Sequence, residues 1–238
     1  MNKEYKISRS KIEFFTECPK CFYLDVNLGV KRPSMPGYTL NSAVDELLKK
    51  EFDILRQEKK SHALMDKFGI KAIPFSHPEL NSWRHNFTGI RFTHPLGITL
   101  FGAVDDLWIN ENGEIHVVDY KSTSTNEEVT LDAEYKSGYK RQIEIYQYLL
   151  EKIGLKVSKT GYFVYANARK DLEKFDEKLI FDMKIIPYVG DNSWIEGTIE
   201  KIVNTLNSEE IPLPSSTCKF CTYIHDYNNS ENKQPPLF

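Results

Sequence analysis

The four cysteines of this 238-residue chain stand in two Cys-x-x-Cys pairs at opposite ends of the sequence. One pair is Cys18 and Cys21, and the other is Cys218 and Cys221. Two such pairs in a protein without a secretory signal are typical of a four-thiolate metal site, with disulfides or free thiols as the alternatives. A shared metal would hold the two ends of the chain together, so we expect its loss to destabilise the whole domain.

The length and composition fit one globular domain. Hydrophobic residues make up 40% and charged residues 27% of the sequence, which excludes a mainly disordered or fibrous chain. We expect one core over residues 1–225 and a flexible polar tail over residues 226–238. Because the formal charge is −3, contact with nucleic acid would need a local basic patch.

The sequence shows no feature of membrane insertion or export. No apolar run reaches the roughly 18 residues that span a bilayer, and the first residues lack the apolar stretch of a secretory signal. We therefore expect a cytoplasmic protein without a membrane partner.

Hydrophobic periodicity predicts the order helix, hairpin, helix, strand, strand, helix after a first cysteine-bearing helix. Helical spacing is clearest over Leu40–Leu55 and recurs over Gly138–Lys152. No element can be assigned between Phe68 and Leu96, where prolines and aromatic residues are mixed. The other predicted elements are a first helix capped by Ser8 or Ser10 and interrupted at Pro19, strands in Ile98–Ile109, Ile115–Lys121, Thr160–Tyr165 and Lys178–Ile186, and a helix over Trp194–Leu206.

The predicted hairpin carries charged residues in a pattern that suits metal chemistry. Side chains alternate along a strand, so Asp119 and Lys121 share one face and Tyr120 takes the other. A three-residue loop over Glu111–Gly113 would pair Asp105 with Asp119, whereas a two-residue turn would deliver Asp106 instead. Two adjacent carboxylates favour a hard divalent cation such as Mg²⁺ or Mn²⁺, and a nearby lysine suits phosphodiester hydrolysis. An exposed ion pair on a surface hairpin is the alternative.

The order of these motifs resembles a known nuclease family. The motifs Gly102-Ala-Val-Asp105, Val117-Val-Asp-Tyr-Lys121 and Gln142-Ile-Glu-Ile-Tyr146, framed by the two cysteine segments, resemble the RecB-like branch of the PD-(D/E)xK nuclease superfamily, including its AddB-type and CRISPR-adaptation exonucleases. The resemblance implies a restriction-endonuclease-like α/β core with a mixed central sheet flanked by helices. It also implies a Mg²⁺- or Mn²⁺-dependent deoxyribonuclease, an exonuclease on single strands or DNA ends, acting in DNA repair, recombination or CRISPR-type processing.

The resemblance also assigns roles to individual residues. It implies that Asp105, in preference to Asp106, binds the metal together with Asp119 and the Tyr120 carbonyl, and that Lys121 is the catalytic lysine. It implies that Gln142 and Tyr146 contact the nucleic acid.

Asp45 stands where the branch usually has a metal-binding histidine. As an oxygen ligand it would shift the preference toward Mg²⁺, and the alternative is a solvated aspartate. This substitution leaves open a catalytically quiet nucleic-acid-binding subunit of a repair complex.

The resemblance implies a [4Fe-4S] cluster at the four cysteines, although the branch usually supplies one amino-terminal and three carboxyl-terminal ligands. The two-plus-two arrangement of Cys18, Cys21, Cys218 and Cys221 also suits tetrahedral Zn²⁺. Zinc bound in a ribbon-like binding module, with the remainder of the chain as scaffold, is a further alternative. Gln234–Phe238 resembles the short peptide by which bacterial DNA enzymes bind the sliding clamp.

Overall fold

The computed structural model describes residues 5–34 and 36–231, and the clamp-like peptide Gln234–Phe238 lies outside them. None of the helices in this part of the chain is long and apolar enough to cross a membrane. The helices are α1 (Arg9–Glu17), α2 (Pro19–Leu28), α3 (Thr39–Glu58), α4 (Ala63–Lys67), α5 (Leu80–Trp83), α6 (Ser137–Lys152), α7 (Trp194–Asn207) and α8 (Lys219–Glu231). The strands are β1 (Tyr5–Ser8), β2 (Ala72–Pro74), β3 (Ile90–His94), β4 (Ile98–Gly102), β5 (Asp106–Asn110), β6 (Ile115–Thr123), β7 (Thr160–Ala168) and β8 (Phe181–Val189).

The first cysteine pair lies at the junction of two helices. Ser8 caps α1 by accepting a hydrogen bond from the Lys11 backbone N–H at 3.2 Å. The chain becomes extended at Cys18, and Pro19 then begins α2, a position where the missing N–H of proline is not needed. The predicted interruption at Pro19 therefore separates two helices.

The strands form two sheets, each with parallel and antiparallel pairs. One has the order β1-β4-β3, and the other has the order β2-β5-β6-β7-β8. Strands β6 and β7 run parallel because α6 connects them. The predicted α/β fold with mixed sheets flanked by helices is confirmed, with its strands divided between two sheets.

The β5–β6 hairpin has the predicted register. Ile109 pairs with Ile115, and the Asn110 N–H donates to the Glu114 carbonyl at 3.1 Å, leaving a three-residue loop. Gly113 has a φ of +72°, a conformation that glycine adopts without strain. Asp105, immediately before β5, therefore lies beside β6.

Helices cover both faces of the larger sheet. Helix α6 packs on the face that carries Val117, and α3 packs on the face that carries Val118 and Tyr120. The alternation along β6 thus directs Asp119 and Lys121 toward α6.

The structure departs from the sequence predictions in three places. The sequence predicts β4 within one run that ends at Ile109, but the run breaks over residues 103–105 and β4 joins the smaller sheet. In α3, Leu48 and Phe52 are buried, whereas Leu40 and Leu47 are exposed. The sequence does not predict helix α8, which crosses the expected boundary at residue 225.

Candidate active site

Asp119 and Lys121 form a buried ion pair on the α6 side of β6. Lys121 Nζ lies 2.5 Å from Asp119 Oδ2, and the Asp119 side chain is 1% exposed. Apart from this ion pair, neither Asp119 oxygen has a hydrogen-bond partner among the described residues. Burial raises the pKa of Asp119 to about 7, although the Lys121 charge opposes the shift. A buried carboxylate left this way can accept a cation.

Asp105 meets the same strand from the hairpin side. Its Oδ2 accepts a hydrogen bond from the Tyr120 backbone N–H at 2.9 Å. Its Oδ1 lies 3.6 Å from Lys49 Nζ, which also contacts Asp45 Oδ2 at 2.7 Å. Burial, and then the Asp105 charge, raise the pKa of Asp45. The structure therefore brings Asp45 near Asp105, with the Lys49 ammonium in contact with both.

The predicted nucleic-acid contacts Gln142 and Tyr146 are buried side chains of α6. Gln142 Oε1 accepts from Lys121 Nζ at 3.4 Å, and Gln142 Nε2 donates to the Tyr146 hydroxyl at 3.3 Å. The Lys121 ammonium also lies 4.6 Å from the centre of the Tyr139 ring. These contacts hold the lysine over the strand, so Gln142 fixes the position of Lys121 in this structure.

A second charged group lies on the opposite face of the hairpin. Asp106 Oδ1 accepts from Arg56 at 2.6 Å and from Arg84 at 2.7 Å, and its Oδ2 accepts from the Tyr120 hydroxyl at 2.8 Å. Asp106 is fully buried, and each arginine side chain is 9% exposed. Asp105 and Asp106 therefore face different surroundings, with Asp106 held in a closed ion-pair network.

Loss of the Asp106 carboxylate is expected to destabilise the fold strongly. Asp106→Ala would leave two buried guanidinium groups without the carboxylate that balances their charge. We expect this loss to lower the unfolding free energy by about 3 to 5 kcal/mol. Asp53 contacts the same two arginines but is 40% exposed, so Asp53→Ala should cost about 1 kcal/mol or less. Urea unfolding measures both variants, and equal losses would contradict a structural role specific to Asp106.

Asp45, Asp105 and Lys121 line an open groove of 1140 Å³. Arg9, Glu13 and Arg141 stand along it, and Glu13 holds Arg141 through two bonds of 2.6 and 2.8 Å. The groove continues to Thr217 and Lys219, beside the second cysteine pair.

The four cysteines converge on one point. Their Sγ atoms lie within 4.8 Å of one another, with separations of 3.5 Å for Cys21–Cys221, 3.7 Å for Cys21–Cys218 and 3.8 Å for Cys18–Cys221. In the described part of the chain, no other group of three His, Cys, Asp or Glu side chains meets this spacing. Burial raises the pKa of the Cys218 thiol, but hydrogen bonds involving Cys221 outweigh burial and lower it to about 7. The cluster joins the two ends of the domain and could bind a metal.

Arg32 connects the cysteine cluster to both chain ends. Its guanidinium donates to Cys218 Sγ at 3.4 Å and to Glu17 at 2.9 Å. The same group lies 4.2 Å from the Phe14 ring centre and 4.4 Å from that of Phe220. It therefore lies between two aromatic rings and places a positive charge against the Cys218 sulfur.

Replacing Arg32 is expected to weaken metal retention. Arg32→Gln would remove a charge-assisted hydrogen bond to a ligand sulfur, and such outer contacts are worth about 10- to 100-fold in metal affinity. Lys31→Gln removes an adjacent, exposed charge and serves as the control. Transfer of metal to a chromophoric chelator measures the change, and equal transfer rates in the two variants would contradict it.

Comparison with known proteins decides the family. The family model described as the PD-(D/E)XK nuclease superfamily matches residues 6–225. The chain belongs to the PD-(D/E)XK nuclease superfamily. Membership indicates a nuclease that acts on nucleic acid with divalent metal ions, and the match spans both cysteine pairs and the β5–β6 hairpin.

Individual similarities to this nuclease are distant. No curated protein sequence matches it significantly. A solved structure, described as "Crystal structure of SSO0001", has 16% sequence identity and a TM-score of 0.41 over 87% of this chain and 80% of that chain.

The donor set of the nuclease suits a hard divalent ion. Apart from the Lys121 ion pair, the two buried Asp119 oxygens have no hydrogen-bond partner in the described part of the chain, and oxygen ligands are those that Mg²⁺ and Mn²⁺ prefer. The sequence analysis does not predict three features around these sites: the Lys49 contact with Asp105, the Arg32 contact with the cysteine cluster, and the ion-pair network of Asp106. Only Lys49 carried a local signal, because it follows Asp45 by one helical turn.

Proposed function

We propose that the protein is a Mg²⁺- or Mn²⁺-dependent deoxyribonuclease that cuts single strands or exposed DNA ends. The observation that carries the proposal is the juxtaposition of Asp105, Asp119 and Lys121, in which Asp105 and Lys121 line the open groove and the buried Asp119 carboxylate is paired with Lys121. Such an activity would serve DNA repair, recombination or CRISPR-type processing. We also propose, from sequence alone, that Gln234–Phe238 binds a sliding clamp.

In the proposed mechanism, Asp105, Asp119 and the Tyr120 carbonyl would hold the divalent ion, with Asp45 as a further ligand. When bound, such an ion would supply Lewis-acid chemistry to the phosphodiester and to the attacking water. Lys121 orients the attacking water and offsets charge that develops on the phosphorane. Gln142 and Tyr146 would contact the nucleic-acid strand. Gln142 would also position Lys121, because its amide oxygen contacts the ammonium directly.

The preference for single strands rests on the aromatic groups of the groove. Tyr38 is 72% exposed and Tyr135 is 73% exposed, and both line the groove. Unpaired bases stack on such rings at about 1 to 3 kcal/mol per base, whereas bases within a duplex already stack on each other. The Tyr139 ring, beside Lys121, lines the same groove.

A substrate panel tests the proposal. Linear single-stranded, circular single-stranded and blunt duplex DNA, with a linear RNA of the same sequence, are incubated with Mg²⁺, Mn²⁺ or EDTA. We expect metal-dependent loss of the linear single strand, slower loss of the duplex, and persistence of the circle. Cleavage of the circle would indicate endonuclease action, and faster cleavage of RNA would contradict the assignment to DNA.

A catalytically quiet binding subunit predicts a different result. Folded, metal-replete protein would bind the single strand and cleave no member of the panel. The presence of Asp45 in place of a histidine favours that reading, and the intact Asp105, Asp119 and Lys121 oppose it.

For the cysteine centre we infer a single tetrahedral ion, Zn²⁺, in place of the [4Fe-4S] cluster that the resemblance implies. Zn–S bonds of about 2.3 Å place the sulfurs of a tetrahedral site roughly 3.8 Å apart. In a [4Fe-4S] cluster the irons lie between the thiolates, whose sulfurs then stand roughly 6 Å apart. Three of the sulfur pairs are 3.5 to 3.8 Å apart and all four sulfurs lie within 4.8 Å of one another, which is closer to the spacing of the single ion.

Metal analysis of anaerobically purified protein tests this inference. We expect about one zinc per chain and no visible absorption. A brown protein that contains about four irons per chain would support the cluster instead.

A further inference from the structure

Arg9 stands beside the carboxylate site with no acidic partner among the described residues. It is the first residue of α1, and it lines the groove. Its Cβ packs near Gly102, where an added Cβ would lie 3.2 Å from Arg9 Cβ and 2.7 Å from Tyr146 Cε1. Because Gly102 precedes Asp105 by three residues, Arg9 and Tyr146 lie over the strand end that leads to the metal-binding carboxylates.

The Arg9 guanidinium differs in its surroundings from Lys121 and Arg141, which line the same groove. Lys121 is paired with Asp119, and Arg141 is held by Glu13. Arg9 Nε is buried and has no hydrogen-bond partner among residues 5–34 and 36–231. The side chain is half-buried and lines the groove, so its guanidinium could donate to an acceptor in the groove without giving up a protein partner.

Arg9 also lies within electrostatic reach of the site. Arg9 lines the same groove as Asp45 and Asp105. An anion attracted to Arg9 would therefore lie beside the carboxylates, where a divalent ion would balance its charge.

We propose that Arg9 binds a phosphate group of the nucleic-acid strand, at or next to the phosphodiester that is cut. The guanidinium fork matches two phosphate oxygens, and Arg–phosphate bonds are among the stronger charge-assisted hydrogen bonds. This assignment rests on the proposed nuclease function, but it is tested by binding, which does not require cleavage.

The test is an interference scan with uncharged linkages. A set of short fluorescent single strands is used, each with one methylphosphonate at a different linkage. The affinity of the protein for each strand is measured by fluorescence anisotropy in the presence of Mg²⁺. All the proteins carry Lys121→Ala so that the strand stays intact, and one carries Arg9→Met as well, which keeps an aliphatic stem over Gly102. Lys6→Met removes an exposed charge from β1 and serves as the matched control.

We expect one linkage whose neutralisation lowers the affinity of the protein that retains Arg9 by roughly 10-fold. At that linkage the Arg9→Met protein should show no further loss, and Lys6→Met should keep the original profile. Interference at the same linkage that persists undiminished after Arg9→Met would overturn the proposal. Absence of cleavage by the wild type would refute the nuclease function and leave this result unaffected.

Discussion

Lys121→Ala is expected to lower the rate of metal-dependent DNA cleavage by about 100-fold or more. A positioned group that transfers a proton or offsets transition-state charge contributes about 10²- to 10⁴-fold. Lys121 forms the ion pair with Asp119, and Gln142 and the Tyr139 ring hold it there. Single-turnover rates at saturating DNA and metal measure the loss, because product release then does not contribute.

The control for this loss is Lys140→Ala. Lys140 also lies on α6, but its ammonium stands over the Tyr188 ring, away from the carboxylates. This variant should cleave at the wild-type rate. Because Lys121→Ala leaves Asp119 without its ion-pair partner, circular dichroism and Lys121→Gln accompany it. A folded Lys121→Ala or Lys121→Gln protein with wild-type activity would remove Lys121 from the mechanism.

Cys221→Ser is expected to abolish metal binding at the cysteine centre and to release α8. The α8 residues Phe220, Tyr223 and Ile224 are exposed, so the helix is held through Cys221, the preceding Cys218 and the contact of Phe220 with Arg32. Structural zinc in small domains contributes about 10 kcal/mol or more. Even partial loss of that contribution should lower Tm by about 10 °C, since 1 kcal/mol corresponds to about 2 to 4 °C at this size.

Two measurements check the cysteine prediction. Metal analysis should fall from about one ion per chain to a small fraction, and limited proteolysis should cut within residues 208–217, which have no regular structure. His225→Ala is the control, because His225 is exposed and bonds Asn229 instead of joining the cluster. Full metal content and an unchanged melting temperature in Cys221→Ser would contradict a four-thiolate centre.

Local signals predict the hairpin and the helices that carry the site. The Glu111–Gly113 loop sets the hairpin register, and that register places Asp105 beside β6. The apolar stripe of α6 predicts which face packs on the sheet, and Gln142 and Tyr146 are buried on that helix. These features depend on residues that are close in sequence, so periodicity and turn chemistry suffice.

Long-range features of the fold could not be predicted in this way. Arg56 and Asp106 are 50 residues apart, and the sequence around either residue does not indicate that the two form an ion pair. The assignment of β4 to the smaller sheet depends on its parallel pairing with β1, which lies far back along the chain. The exposure of Leu40 and Leu47 depends on which part of α3 meets the sheet, and periodicity alone does not determine that.

The most direct test of the account is the initial rate of single-strand cleavage as a function of Mg²⁺ or Mn²⁺ concentration, measured for the wild type and for Asp119→Asn. The amide keeps the size of the side chain and loses the charge that holds the ion. The account predicts a saturable metal dependence for the wild type, no cleavage in EDTA, and no cleavage by Asp119→Asn at any metal concentration. Wild-type cleavage that persists in EDTA, or a wild-type rate in Asp119→Asn, would contradict it.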